Sequence, residues 1–455
     1  MDTIVELKRL HKRVTYFYIR PLYIQHKKAQ SLDLARYLPN TSILAYYDFL
    51  GQIINLNSFD LARFKQSKFQ NNYTKMSSLL PLCQHEYTHW LDNTSTLWGI
   101  NFLNTLYKTY DIEDFREFLN GNQDFINLNN TILNMRDHHY NIKKFDITDN
   151  PIPWKYQYIV QVVEDDYIKI IVNFLNKNTH EIICSVPMSV LSILETSAIA
   201  QELGMRITLI MTMLKDGEEI VESKLFEKEI IKQIYNPSLT EYSVAVHIVA
   251  NAIQVEDIMV AYTISSILSR FVLNFPAKYF NEISLSNSIE ELNFLSLQNI
   301  QLFENTLKKK DISLLFFLIA NKLKFNKNYD EKSIQQSIIN VLDSFGIQID
   351  EIFIKTVEQD YQNKYEYFTT YNYQPIEDIM EAGYENFKKI GIFGQRFYNF
   401  QELKTPKALL GDDSEFPCFT NFIKTFSPKQ HKSHLLDVTH AVETTFEIMH
   451  GKENV

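Results

Sequence analysis

His85-Glu86-Tyr87-Thr88-His89 places two imidazoles four residues apart, and that spacing constrains the fold more than any other feature of the chain. On an α-helix, residues i and i+4 lie on one face, one turn apart. The flanking sequence supports a helix. Ser77 or Ser78 offers an N-cap, and Pro81 then falls in the first turn, where a missing N–H costs little. Leu79, Leu82 and Cys83 precede the pair, and Trp90 and Leu91 follow it. The pattern predicts a buried amphipathic helix over about residues 79–92.

Two imidazoles so placed suit one Zn²⁺, each at roughly 2.0–2.1 Å. Glu86 sits beside the first histidine, close enough to act on a water at the metal without being a ligand. This is the chemistry of a zinc hydrolase, in which the metal polarises water and a substrate carbonyl and the carboxylate takes the proton. Histidine is scarce here, 12 in 455 residues. The bland alternative is a pair of core histidines hydrogen-bonded inside a helical bundle.

Catalytic zinc usually keeps three protein ligands and one open position. The continuation Trp90-Leu91-Asp92-Asn93-Thr94-Ser95 supplies no further histidine, so the third ligand must come from elsewhere. Glu195 is the candidate. It is a carboxylate in an apolar helix with small neighbours, and burying it without a partner would be costly. His247, in the apolar stretch 244–249, is the rival ligand, although a lone histidine on an apolar helix face is more often a satisfied core residue. With Tyr242 on the same expected helix, it is also a candidate transition-state donor. Glu202 reads as a surface partner of Arg206 at i+4. Asp92 follows His89 by one turn, and fixing that imidazole and simply ending the helix are equally compatible with its position. Cys83 reads as core. His138-His139 and the His431/His434 pair, with His440 and His450, read as surface residues.

His85-Glu86-x-x-His89, followed far downstream by Glu195-x-x-Ala198-x-x-x-Glu202, resembles the gluzincin metallopeptidases of the zincin superfamily. Their aminopeptidase-N-like branch has a similar Glu-x-x-Ala-x-x-x-Glu helix. The resemblance covers these two helices alone. It implies His85, His89 and Glu195 as zinc ligands and Glu86 as general base. About a hundred residues separate the two helices, more than in those families, by spacing along the chain. A GxMEN-like exopeptidase loop is missing, which favours an endopeptidase over an aminopeptidase. The chain's best hairpin follows the histidine helix, whereas zincins usually carry the sheet before it, so a divergent zincin is expected.

Glycine and proline are few, 11 and 12 residues, where about 12% of a chain is usual, and few breakers mean long helices. The formal net charge of −10 argues against wholesale nucleic-acid binding, which needs clustered Lys and Arg. Three scattered cysteines, Cys83, Cys184 and Cys418, form neither a disulfide framework nor a zinc knuckle and fit a reducing compartment. The N-terminus lacks the apolar core of a signal peptide, and no apolar run approaches 18 residues. A cytoplasmic protein with no membrane span is expected.

Along the chain, Ser42–Leu50 reads as a strand or the start of a buried helix. A second helix is expected over Leu97–Tyr110. Residues 111–150 read as irregular or short helices. Trp154–Val163 and Tyr167–Phe174 form the best β-hairpin, with a third extended piece at Glu181–Val186. Helices are then expected at Met188–Gly204, Arg206–Leu214, Ser243–Phe275, Glu290–Lys308, Ile312–Lys324, Ile334–Phe345, Ile349–Tyr365 and near Leu435–Met449. The fold class is mainly α (α+β): a divergent zincin-like catalytic region over 1–205 with a small hairpin, then a helical region over 206–455 for substrate recognition or gating. The expected function is zinc-dependent hydrolysis of a protein or peptide substrate, with the hairpin holding an extended peptide by strand addition. A toxin-like intracellular protease with one narrow target is one alternative. A non-enzymatic helical binding protein with a structural or degenerate zinc site is the other.

Overall fold

Asn72 begins the helix that carries the histidine pair, its side chain accepting from the Lys75 backbone N–H at 3.1 Å. The computed structural model describes residues 44–110, 154–164, 167–286, 299–326, 328–371 and 373–436, with a few more between 123 and 132 and at 292. In it the helix runs over Tyr73–Thr94, so neither Ser77 nor Ser78 is the cap and Pro81 lies inside the helix. Proline has no N–H to offer the carbonyl four residues back. That carbonyl belongs to Ser77, and Arg206 Nη1 donates to it instead at 3.1 Å. A proline that would weaken an isolated helix is thereby tied to a second one.

The elements in order are β1 (Tyr46–Asp48), β2 (Ile53–Leu56), α1 (Leu61–Phe69), α2 (Tyr73–Thr94) and α3 (Leu97–Tyr110). Then come β3 (Trp154–Glu164), β4 (Tyr167–Asn176), β5 (Ile182–Pro187), α4 (Val190–Met213), α5 (Glu218–Ile234), α6 (Thr240–Ile253) and α7 (Ile258–Leu273). The rest are α8 (Ile300–Lys308), α9 (Ile312–Lys322), α10 (Glu331–Ser344), α11 (Glu351–Thr369), α12 (Gln374–Ile390), β6 (Ala408–Leu410), β7 (Glu415–Phe416) and a helix α13 over 428–436. Mainly helical with two small sheets, this is the fold class that the scarcity of glycine and proline predicts.

The first sheet has the order β1-β2-β6-β7. β1 and β2 pair antiparallel, with Tyr47 opposite Ile54, and β6 joins β2 in parallel, with Asn55 opposite Leu409. The last strands therefore complete a sheet that the first ones begin, and β1 and β2 lie against α2. The second sheet is antiparallel, β3-β4-β5, with Ile159 opposite Ile171. Its bounds agree with the sequence pattern to within a residue or two. It packs on α6, α8 and α9.

Several helices depart from expectation. The chain from 190 to 213 is one helix, passing through Gly204 without a break. The ring of Phe397 occupies the space a Cβ at Gly204 would fill. The expected helix Ser243–Phe275 breaks at Gln254, whose φ of +54° ends α6. Asp257 then caps α7 by accepting from the Met259 and Val260 N–H groups. α5 and α12 have no counterpart in the sequence reading. In α12 the apolar residues Ile376, Ile379, Met380, Phe387 and Ile390 nonetheless recur on one helix face.

One large apolar core draws on residues before and after position 205. α2 packs directly on α4, and α7 packs on α4 from another side. α12 reaches the C-terminal end of α2 at Gly383, where the Thr94 carbonyl leaves no room for a Cβ. Among the described residues no single helix is long and apolar enough to cross a membrane. α6 and α7 would qualify by composition together, but they meet at 107°. The readings of residues 111–150, of His138-His139, of His440 and His450, and of the ends of the helices expected at 290–308 and 435–449 lie outside the described residues.

Candidate metal centre

The second turn of α4 brings Glu195 against the histidine face of α2. His85 Nε2 and His89 Nε2 are 3.2 Å apart. Glu195 Oε2 is 3.4 Å from the first and 3.5 Å from the second. Three donors bound to one tetrahedral zinc at about 2.0–2.1 Å should be separated by about 3.3 Å, the edge of that tetrahedron. The triangle of donors has that size. Among the described residues it is the one group of at least three His, Cys, Asp or Glu side chains gathered closely enough to hold a metal ion.

The donors are also chemically short of a partner. Glu195 Oε2 is buried and accepts no hydrogen bond from the described residues. His85 Nδ1 lies 2.9 Å from Glu202 Oε2, so Nδ1–H donates to the carboxylate and Nε2 presents its lone pair to the centre. Two imidazole nitrogens and a carboxylate oxygen converge on one point. Only a cation or protons placed between them make that arrangement stable. The residues present therefore fit a divalent metal of zinc type, with mixed N and O ligands.

The charges respond as this crowding dictates. Burial would raise the Glu195 carboxyl, but the His89 charge and the facing His85 imidazole hold it down to about 2. Burial would lower His85, but Glu195 and Glu202 outweigh it and hold the imidazole well above its ordinary value. Glu86 is buried beside the donors without being one of them. Burial raises its pKa, the two histidines oppose the rise, and Glu195 and Glu202 add to it. A carboxylate with a raised pKa is a better proton acceptor near neutrality.

The walls are unequal. The His89 and Glu195 side chains are 3% and 2% exposed, whereas His85 is 14% and Glu202 34% exposed. Solvent thus reaches the centre from the His85 side. Behind His89, the Phe49 ring lies 5.9 Å away. Asp92, one turn on, is fully buried with Arg270 Nη1 3.5 Å from its carboxylate. Burial raises the Asp92 carboxyl to about 6 against the pull of Arg270 and His89.

Glu202 and His431 sit differently from what the sequence suggests, and His247 is the satisfied core residue that a lone histidine on an apolar face usually is. Glu202 does not pair with Arg206. It turns to His85, while Arg206 pairs with Glu222 at 2.9 Å. The signal was available, because residues 195 and 202 are seven apart and share a helix face. His247 lies elsewhere, enclosed by Trp154, Phe174 and Tyr235, with Nε2–H donating to the Ile234 carbonyl at 3.2 Å. Burial lowers its pKa to about 4. His431 is not a surface residue. It is fully buried, with Nδ1 3.1 Å from the Tyr373 hydroxyl, and Tyr373 also stacks on exposed His434 at 4.2 Å.

No protein-family description, curated protein or solved structure matches this chain. The geometry of the three donors therefore stands as the ground for any functional reading.

Proposed function

We propose that the chain is a zinc-dependent metallopeptidase, an endopeptidase acting on a protein or peptide substrate. The observation that carries the proposal is the triangle of His85 Nε2, His89 Nε2 and Glu195 Oε2, with Glu86 buried beside it. His85, His89 and Glu195 would hold the ion. Zinc in that position supplies Lewis acidity toward water and the scissile carbonyl.

The remaining work falls to the chain itself. Glu86 accepts a proton from the attacking water on its carboxylate and passes it to the departing amine nitrogen. Glu202 keeps the proton on His85 Nδ1, so that Nε2 keeps its lone pair and orientation. Phe49 and the packing of α2 on α4 keep bulk water off the His89 side. Glu86 favours catalysis over a purely structural site, since a structural site needs no base beside its ligands.

The test is zinc analysis of the purified chain together with a search for new peptide termini in lysate of its own host. Wild type is compared with Glu86→Gln. About one zinc per chain in both proteins, and new termini with wild type only, is the expected outcome. Failure to take up zinc at micromolar free metal overturns the proposal.

A further inference from the structure

Cys83 and Cys418 are 335 residues apart in sequence, yet their sulfurs lie 3.5 Å from each other, with both side chains buried. Nothing in the spacing of the three cysteines announces this. The third, Cys184, is buried in β5. Cys83 sits on α2 two residues before His85, about 200° around the helix, so it faces away from the metal centre. Cys418 follows the end of β7 by two residues. The contact therefore lies where the closing strand of the first sheet meets the histidine helix.

The surroundings favour thiol chemistry. Lys68 Nζ donates to the Pro417 carbonyl at 2.8 Å, and its positive charge reaches the Cys418 sulfur. A cation beside a thiol favours the thiolate, the form that reacts. The pair has no metal-binding partner among the described residues. Pro417, Phe416 and Lys68 are each half-buried.

We propose that Cys83 and Cys418 form a reversible redox crosslink that fastens the C-terminal end of the β1-β2-β6-β7 sheet to the histidine helix. The oxidant is a small peroxide. The Cys418 thiolate attacks the O–O bond, becoming a sulfenic acid and releasing hydroxide. The Cys83 thiol then attacks that sulfur, and its proton leaves with the second hydroxide as water. Two thiols and one hydrogen peroxide become one disulfide and two waters, with two electrons passing from sulfur to oxygen. The sulfurs must close by about 1.5 Å to reach a disulfide bond length. The bond closes a loop of more than three hundred residues, which restricts the unfolded chain strongly. This inference does not depend on the metal reading, and its test requires no activity.

The full-length protein is treated with stoichiometric hydrogen peroxide, then denatured, and its thiols are counted and its intact mass measured. Of three free thiols, one should remain, with a mass loss of about 2 Da, and a crosslinked peptide should join Cys83 to Cys418. The melting temperature should rise by about 5 °C or more and fall back on reduction with dithiothreitol. Cys83→Ala and Cys418→Ser should each lose the oxidant-dependent shift. Survival of all three thiols, a mass gain from oxygen in place of the loss, or a crosslink to Cys184 overturns the proposal. So does a Cys83–Cys418 crosslink that leaves the melting temperature unchanged. The wild-type measurements decide the matter even where a variant fails to fold.

Discussion

His85 Nδ1 and Glu202 Oε2 are 2.9 Å apart, on two different helices. Glu202 is two turns along α4 from Glu195, so a single helix supplies one carboxylate to the centre and another to the back of its first imidazole. This contact sets which nitrogen of His85 faces the other donors. Such partners typically affect metal affinity about 10–100-fold. Glu202→Gln should therefore bind zinc about 10–100-fold more weakly with a near-normal melting temperature, as read by competition with a fluorescent chelator. Unchanged affinity would show that the contact is incidental.

Glu195 carries the stronger version of the same argument. Its carboxylate is buried and faces both imidazoles, and it has little else to interact with. Glu195→Ala should lose stoichiometric zinc, while His247→Ala should keep it, because His247 is bonded to the Ile234 carbonyl in a different part of the fold. Elemental analysis of dialysed proteins separates the two. Retention of one tight zinc by Glu195→Ala would remove Glu195 from the ligand set.

Glu86→Gln separates chemistry from assembly. The amide is nearly isosteric, so the helix and the three donors should persist and zinc content should stay near that of wild type. A base of this kind is typically worth about 10²–10⁴-fold in rate. Peptide-bond cleavage should fall by at least that much. Equal cleavage by both proteins would exclude Glu86 as the base.

How much of this could be read from the sequence depends on the range of the interaction. α2, α3 and the β3–β4 hairpin follow local periodicity, and their residues announce them. Glu195 was legible because a carboxylate in an apolar helix needs a partner. β6 and β7 were not, because a three-residue strand pairing with β2 from the far end of the chain, and a two-residue strand pairing with β6, leave no local pattern. The Asn72 cap was obscured because Pro81 normally marks a first turn, whereas here Arg206, distant in sequence, satisfies the Ser77 carbonyl that Pro81 leaves without its helical donor. Arg270 and the Cys83–Cys418 contact are likewise products of packing between distant segments.

Arg270 gives a stability prediction. It is fully buried, with Nη1 facing Asp92 at 3.5 Å and Nη2 donating to the Ser95 carbonyl. Removing one member of a buried ion pair leaves the other uncompensated, at a cost of about 3–5 kcal/mol. Arg270→Met should be destabilised by about that amount in urea unfolding. Arg270→Met combined with Asp92→Asn should recover a large part of the loss, since no charge is then stranded. A double variant as unstable as the sum of the single ones would mean that the two residues do not act as a pair.

The last prediction concerns acid. Burial lowers His247 to about 4 and His431 to about 3, from an ordinary value of 6.5. Both are neutral in the native chain at pH 7. Above pH 6.5 neither the folded nor the unfolded form takes up protons at these sites, so their contribution to stability is constant. As pH falls below 6.5 the unfolded chain binds protons that the native chain refuses, and stability drops. Each histidine contributes a slope of roughly 1 kcal/mol per pH unit until its folded pKa is reached. For His247 the window runs from 6.5 down to about 4. His247→Gln keeps a donor for the Ile234 carbonyl but cannot titrate. Its urea midpoint should therefore fall less than that of wild type between pH 6.5 and 4.5, whatever its offset at pH 7. The comparison at each pH cancels the titration of the metal-site groups, which both proteins share. Parallel pH profiles for wild type and His247→Gln would show that His247 ionises as freely in the native state as in the unfolded one.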